Sequence, residues 1–127
     1  MATMRDIVTK ALQLIRVVGA TESPTAEDAA DGLDTANGIF EQFQARDIFA
    51  GTSTLALDDE FPLAERHRMG FIAYLASHLA PNYGVEIGMQ VERRASLGWQ
   101  LIAADYFAPE SLRVDLGLQR MPSQRLP

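Results

Sequence analysis

Residues 24–45 read PTAEDAADGLDTANGIFEQFQA, and this stretch decides the fold class of the chain. Pro24 disfavours a helical conformation for the residue before it, and Thr25 is a good capping residue for a helix that follows. The next carboxylates, Glu27 and Asp28, fall in the first helical turn, where the helix dipole favours negative charge. Apolar residues then recur every three or four positions, at Ala29, Leu33, Ala36, Phe40 and Phe43. The pattern predicts an amphipathic helix that starts after Thr25 and ends near residue 45.

Three further helices are predicted around this one. The first spans about residues 4–17 with Thr3 as its cap, and Gly19 is expected to end it in the left-handed conformation that is common after helices. The other two are predicted at about residues 63–79 and 86–107. In the second, third and fourth helices, the residues expected to face the core are Leu33, Phe40, Phe43, Met69, Ile72, Leu75 and Trp99.

The segment from Leu112 to Gln119 has a different pattern, because apolar and polar residues alternate along it without interruption. Alternation of period two puts its four apolar side chains on one face of a β-strand. A single strand needs a partner edge, and residues 52–57 are the other short segment with strand character. The strand either docks on another chain or folds back on its own domain, and the pattern alone leaves both open. We predict an all-α fold, with a small four-helix bundle over residues 1–107 and an extended C-terminal arm with a short β-strand over residues 108–127.

Composition narrows the class of protein. The chain has 127 residues, of which 47% are hydrophobic and 22% are charged, as is ordinary for one globular domain. It contains no cysteine and no apolar run near the roughly 20 residues that a membrane span needs. Its first residues lack the layout of a signal peptide, so secretion by that route is not expected. The formal net charge of −6 argues against broad binding to a phosphate backbone.

The sequence has no evident catalytic, cofactor-binding or metal-binding motif, and none is predicted. His67 and His78 are eleven positions apart, whereas zinc sites on helices use closer pairs such as i and i+4. We interpret both as ordinary helical histidines.

Charged residues form two candidate surfaces. Glu27, Asp31, Asp34 and Glu41 recur at helical spacing in the second predicted helix. A solvated face is the favoured interpretation, and the alternatives are the lining of a passage or a carboxylate pair of the kind that glycosidases use. Arg93 and Arg94 in the fourth helix either pair within that helix or meet the acidic helix across a subunit boundary.

Four short motifs carry a family resemblance: MRDIV at 4–8, PTAEDA at 24–29, FPL at 61–63 and LAPNYG at 79–84. Together with the order of the predicted elements over about residues 2–106, they resemble the head–tail connector proteins of tailed double-stranded DNA bacteriophages and gene transfer agents. These proteins are also called adaptors or head-completion proteins.

The resemblance implies a non-enzymatic structural protein of the virion, made in the host cytoplasm and located at the head–tail junction. It implies a ring of copies, commonly twelve, that binds the portal and carries a downstream tail or stopper protein. Such a ring extends the channel through which double-stranded DNA passes, and it helps to retain the packaged genome. An acidic channel face would repel phosphates and let the DNA slide past.

The resemblance also implies a role for the arm, which docks on the portal. Strand addition would supply backbone hydrogen bonds, while apolar side chains fill pockets. The expected portal-contact residues are Leu112, Val114, Leu116, Leu118, Arg120, Met121, Arg125 and Leu126. The expected subunit-interface or channel residues are Glu27, Asp31, Asp34, Arg93 and Arg94.

Two other functions stay open: a peptidoglycan hydrolase that uses two of the carboxylates, and a free helical module that binds other proteins.

Overall fold

The computed structural model describes residues 2–17, 19, 22–49 and 54–107. These residues form four α-helices, α1 (Met4–Leu14), α2 (Ala26–Ala45), α3 (Arg68–Leu79) and α4 (Met89–Tyr106). Short 3₁₀ turns, Glu65–His67 and Ala80–Tyr83, come directly before and after α3. The described part of the chain contains isolated β-bridges but no strand, so its predicted all-α character is confirmed. The predicted arm, residues 108–127, lies outside the described residues.

Helix α2 begins and ends as its sequence predicts. The hydroxyl of Thr25 accepts a hydrogen bond from the backbone N–H of Asp28 at 3.1 Å, which satisfies one of the free donors in the first turn. The helix then continues for 20 residues to Ala45.

Helix α1 ends earlier than predicted, and Gly19 is not the residue that ends it. Arg16 adopts the left-handed conformation instead, with φ of 62°. Its N–H donates to the carbonyl of Gln13, and the N–H of Val17 donates to the carbonyl of Leu12. This is the Schellman arrangement. Ile15 before the turn is buried and Val17 after it packs against the core, which offsets the roughly 1–2 kcal/mol that a left-handed non-glycine residue costs.

Helices α3 and α4 begin later than the sequence predicts. Helix α3 begins at Arg68 after a 3₁₀ turn, whereas the prediction began it at Leu63. Helix α4 begins at Met89, with Gly88 as its N-terminal cap, rather than at residue 86.

Helix α3 contacts each of the other three helices, and most extensively α4. The aromatic residues of α2 pack on it, since the rings of Phe40 and Phe71 stack with centroids 5.0 Å apart. Phe40, Phe43 and Leu75 are buried as predicted, while Leu33, Ile72 and Trp99 are partly buried against the core. The prediction for Met69 is wrong, because this side chain is 66% exposed.

Glycines set the closest helix contacts. A Cβ atom on Gly98 would lie 2.6 Å from the Cα of Gly70, so α3 and α4 touch backbone to backbone at this point. A Cβ atom on Gly32 of α2 would instead overlap a side-chain methyl of Val8 on α1.

Residues 54–61, here called the strap, cross the N-terminus of α1. The carbonyls of Asp59 and Leu57 accept hydrogen bonds from the first two backbone N–H groups of α1, at 2.8 and 2.9 Å. The side-chain amide of Asn37 on α2 bonds both the N–H and the C=O of Leu55, at 2.9 and 3.0 Å.

The strap corrects the prediction of a strand over residues 52–57. Residues 54–57 are not a strand, and residues 52 and 53 lie outside the described part. Because Asn37 occupies both backbone groups of Leu55, this segment offers a poor pairing edge for the predicted strand of the arm.

Candidate interaction surfaces

The acidic residues of α2 form a continuous exposed stripe. Glu27, Asp31, Asp34, Gly38 and Glu41 follow one another at spacings of four and three residues, which keeps them on one face of the helix. All four carboxylates are exposed. The prediction of a solvated acidic face is therefore confirmed within this chain. We call these five residues the α2 stripe.

Helices α3 and α4 present a surface of the opposite charge. Arg93 and Arg94 are exposed on α4 and form no ion pair within the part of the chain that the structure describes. Beside them, three large apolar side chains are more than half exposed: Met69 at 66%, Leu97 at 57% and Leu101 at 52%. We call these five residues the α3–α4 surface. Its combination of cations and exposed apolar groups is typical of a protein-binding face.

Two hollows adjoin the α3–α4 surface, and Met69 and Arg94 line both. The larger, of about 600 Å³, lies between α1 and α3 and is also lined by Lys10 and Arg68. The smaller, of about 230 Å³, lies over the Gly70–Gly98 contact. The surface is therefore indented where the two helices come closest.

Sequence reasoning missed the apolar part of this surface. A signal was present, since Leu97 and Leu101 are four residues apart in the predicted fourth helix. They fall on the side opposite the core position Trp99, and each alone is an unremarkable surface leucine.

An ionic cluster joins the start of α3 to the end of α4. The carboxylate of Asp105 accepts hydrogen bonds from Arg66 at 2.7 Å and lies against the Nε2 atom of His67. Arg66 first, and then His67, lower the pKa of the Asp105 carboxyl below its ordinary value. His67 is buried, whereas His78 is exposed and its Nδ1 lies 3.0 Å from the carbonyl of Tyr74. The two histidines thus lie in separate environments, and His67 belongs to a structural cluster.

Two arginines at the start of α3 have ion-pair partners, unlike Arg93 and Arg94. Arg68 pairs with Glu65 three residues earlier, at 3.1 Å. Arg66 pairs with Asp105 on another helix.

The two segments that best carry the family resemblance contact each other. The hydroxyl of Tyr83, in the segment 79–84, donates a hydrogen bond to Asp28, in the segment 24–29, at 3.1 Å. Burial, together with the Asp28 carboxylate, raises the pKa of Tyr83 from 10.0 to about 12. Gly84 closes the segment in the left-handed conformation, with φ of 66°.

The remaining predicted site residues lie outside the described residues. These are the portal-contact positions Leu112, Val114, Leu116, Leu118, Arg120, Met121, Arg125 and Leu126. Within the described ranges, no three histidine or carboxylate side chains are grouped to hold a metal ion. No described helix combines the length and apolar character required to cross a lipid bilayer. In comparisons with known proteins, no protein-family model and no curated protein matches the chain.

Proposed function

We propose that this chain is a structural head–tail connector of a phage-like particle. Copies form a ring of twelve under the portal, extend the DNA channel, help to retain the packaged genome and carry the next tail component. The chain acts mechanically rather than as an enzyme. The arm docks on the portal through the alternating residues 112–118, and neighbouring copies close the ring.

One observation carries the proposal: the contact between Tyr83 and Asp28. The resemblance depends chiefly on two short motifs, and two short motifs in one chain are weak support when they are independent. Here they are 55 residues apart in sequence and joined by a hydrogen bond, with one motif starting α2 and the other following α3. The two motifs that carry the resemblance therefore meet at one place in the fold, and the proposal is built on them together.

The surfaces of the domain also support the proposal. Every subunit of a ring needs two different contact faces, because each copy contacts one neighbour on either side. The α2 stripe is acidic, whereas the α3–α4 surface is basic and apolar. A protein with a single binding face would have no need of both.

Hydrogen exchange over residues 107–127 tests the docking of the arm. The exchange is measured with the chain alone and with the chain mixed with its cognate portal protein. We expect protection of residues 112–118 to appear only in the mixture. Full protection in the isolated chain would assign the strand to its own fold and would remove the docking arm from the proposal.

A pair of variants makes this test specific. Leu116→Asn removes an apolar contact from the docking face of the predicted strand, and Arg113→Asn changes a residue on its opposite face. We expect the first to weaken portal binding at least tenfold and the second to change it less than twofold, since only alternate side chains enter pockets. Equal effects would contradict strand addition.

Particles made without this protein provide the broader test. We expect heads that package DNA, fail to retain it and carry no tail. Turnover of peptidoglycan by the purified chain, abolished by one carboxylate-to-amide change, would instead favour the hydrolase alternative.

A further inference from the structure

We infer that the α2 stripe of one copy packs on the α3–α4 surface of a second copy of this chain. The inference rests on the proposed function for its ring. It goes beyond the charged contact that the sequence suggests, because it adds Gly38 to one face and the exposed apolar residues of α3 and α4 to the other.

Charge complementarity is the first argument. The stripe carries four exposed carboxylates, and Arg93 and Arg94 are exposed guanidinium groups on the other surface. Neither set forms an ion pair within the described part of the chain, although Arg5, Arg66 and Arg68 all do. A contact between copies brings these two sets together and leaves no like charges opposed at its centre.

Gly38 supplies a second and independent argument. Glycine destabilises a helix interior, so each helical glycine needs a reason. Gly32, Gly70 and Gly98 have one, because a Cβ atom at each would meet another helix. A Cβ atom on Gly38 would meet nothing within 4 Å. Its reason therefore lies outside the described part of the chain, and the close approach of another copy to the middle of the α2 stripe provides it.

The exposed apolar residues of the α3–α4 surface are suited to pack against Gly38 of another copy. Met69, Leu97 and Leu101 project from the α3–α4 surface. Large apolar side chains on one copy can pack into the open space beside the half-buried Gly38 on the other, with the acidic and basic residues around them. This arrangement of an apolar centre and a charged rim is typical of protein–protein interfaces.

The two faces cannot meet within one copy. Trp99 of α4 faces the end of α2, where Arg46 lies over its ring at 5.2 Å. Arg94 is five positions earlier in the same helix, so it points about 140° away from Trp99. The contact therefore joins different copies head to tail, and repetition of a head-to-tail contact closes a ring when the rotation between copies divides a full turn.

Two reversed variants and their mixture test the assignment. Asp31→Lys/Asp34→Lys reverses the stripe, and Arg93→Glu/Arg94→Glu reverses the other surface. All four side chains are exposed, so both variants should fold, and circular dichroism checks this. By sedimentation velocity we expect self-association of each variant to be at least tenfold weaker than that of the wild type. An equimolar mixture should recover assembly, since the intact stripe of one variant meets the intact surface of the other and the two reversed faces are again opposite in charge.

A matched control has the same change in charge. Glu86→Lys/Glu92→Lys also replaces two exposed carboxylates, but these lie outside both surfaces. It should assemble as the wild type does. Gly38→Gln is a second variant that fills the bare position without changing charge, and it should weaken assembly while the monomer stays folded.

Cysteine cross-linking covers the case in which association is weak. The chain has no cysteine, so Gly38→Cys and Leu97→Cys introduce single thiols. Under oxidising conditions, a mixture of the two variants should give more covalent dimer than either variant alone. Equal dimer yields, or assembly of the stripe-reversed variant at wild-type strength, would overturn the inference.

Failure of this inference is distinguishable from failure of the proposed function. If reversal of the stripe leaves assembly unchanged but particles lose DNA, the stripe faces the channel; the inference is then wrong and the connector function stands. If the mixture recovers assembly but the wild-type chain does not bind the portal, the inference stands and the proposed function fails.

Discussion

Two helix contacts in this domain depend on glycine in different ways. Between α1 and α2, Gly32 makes room for a side chain, the methyl of Val8. Between α3 and α4, Gly70 and Gly98 make room for each other's backbone. A side chain can be shortened or can move to another rotamer, whereas a helix backbone moves only if the whole helix shifts. The same residue type therefore marks one adjustable contact and one rigid contact.

The largest effect is expected for Gly98→Ala. The new methyl group would lie 2.6 Å from the Cα and 2.7 Å from the carbonyl oxygen of Gly70. We expect the free energy of unfolding to fall by about 3 kcal/mol, at the upper end for an overpacked site. Urea unfolding measures it. Since the opposing atoms are backbone, truncation of any neighbouring side chain should leave the loss unchanged, and a rescue of this kind would contradict a rigid contact.

A smaller loss is expected for Gly32→Ala. Its methyl would overlap Val8, which is fully buried and β-branched and therefore has few alternative rotamers in a helix. We expect a loss of about 1–2 kcal/mol.

A double-mutant cycle with Val8→Ala tests whether this contact is adjustable. Val8→Ala alone should destabilise the wild type, because it opens a cavity. In the Gly32→Ala background the same truncation should cost less or be neutral, since it also relieves the overlap. Additive losses would show that α1 and α2 are held as rigidly as α3 and α4.

Gly38→Ala is the matched control, and its effect should have the opposite sign. It is the same substitution in the same helix as Gly32→Ala, at a site with open space around the new methyl. Because alanine favours the helix over glycine, we expect stability to rise by about 0.5–1 kcal/mol. A destabilised monomer would show that Gly38 has a role within the chain and would remove it as support for a contact between copies.

The smallest expected effect is the loss of stability of the α3–α4 pair at low pH. Arg66 and His67 lower the pKa of Asp105, so the folded chain favours the carboxylate more than the unfolded chain does. The resulting stabilisation of the α3–α4 pair is fully present above the ordinary pKa of 3.8 and is lost as the pH falls through the lower folded value. Because Asp105 is largely solvated, the effect should be small. Asp105→Asn should flatten the decline in stability between pH 5 and pH 2, as measured by urea unfolding, and an unchanged slope would contradict the assigned role.

The parts of the fold that could be predicted are those specified locally. Thr25 and the carboxylates after it determine the start of α2, and the apolar spacing to Phe43 determines its buried face. The end of α1 could not be predicted in this way. Gly19 has the better local preference for the left-handed conformation, but burial of Ile15 by the rest of the domain places the turn at Arg16.

The two candidate surfaces also differ in whether the local sequence specifies them. The acidic α2 stripe is visible in the sequence because all its members lie in one helix. The α3–α4 surface joins residues of two helices, and the spacing of Met69 wrongly predicts a core position because it fits the inner face of α3. Only the position at which the helices cross, set by Gly70 and Gly98, shows that this side of α3 stays open.

The strap has a consequence for the order of folding. The first two N–H groups of α1 are satisfied by Asp59 and Leu57, which are more than fifty positions away in sequence. An isolated helix of eleven residues is marginal in water, and the capping box of Thr3 and Asp6 supports its first turn locally, so the strap adds the partners of the first two N–H groups. Closing so long a loop is slow relative to helix formation. We therefore expect Asp58→Ala, which removes the pairing of Arg5 with the strap, to speed unfolding and leave refolding nearly unchanged in stopped-flow measurements. The contact between the strap and the start of α1 is then among the last to form, and among the first that a stretched or destabilised subunit loses.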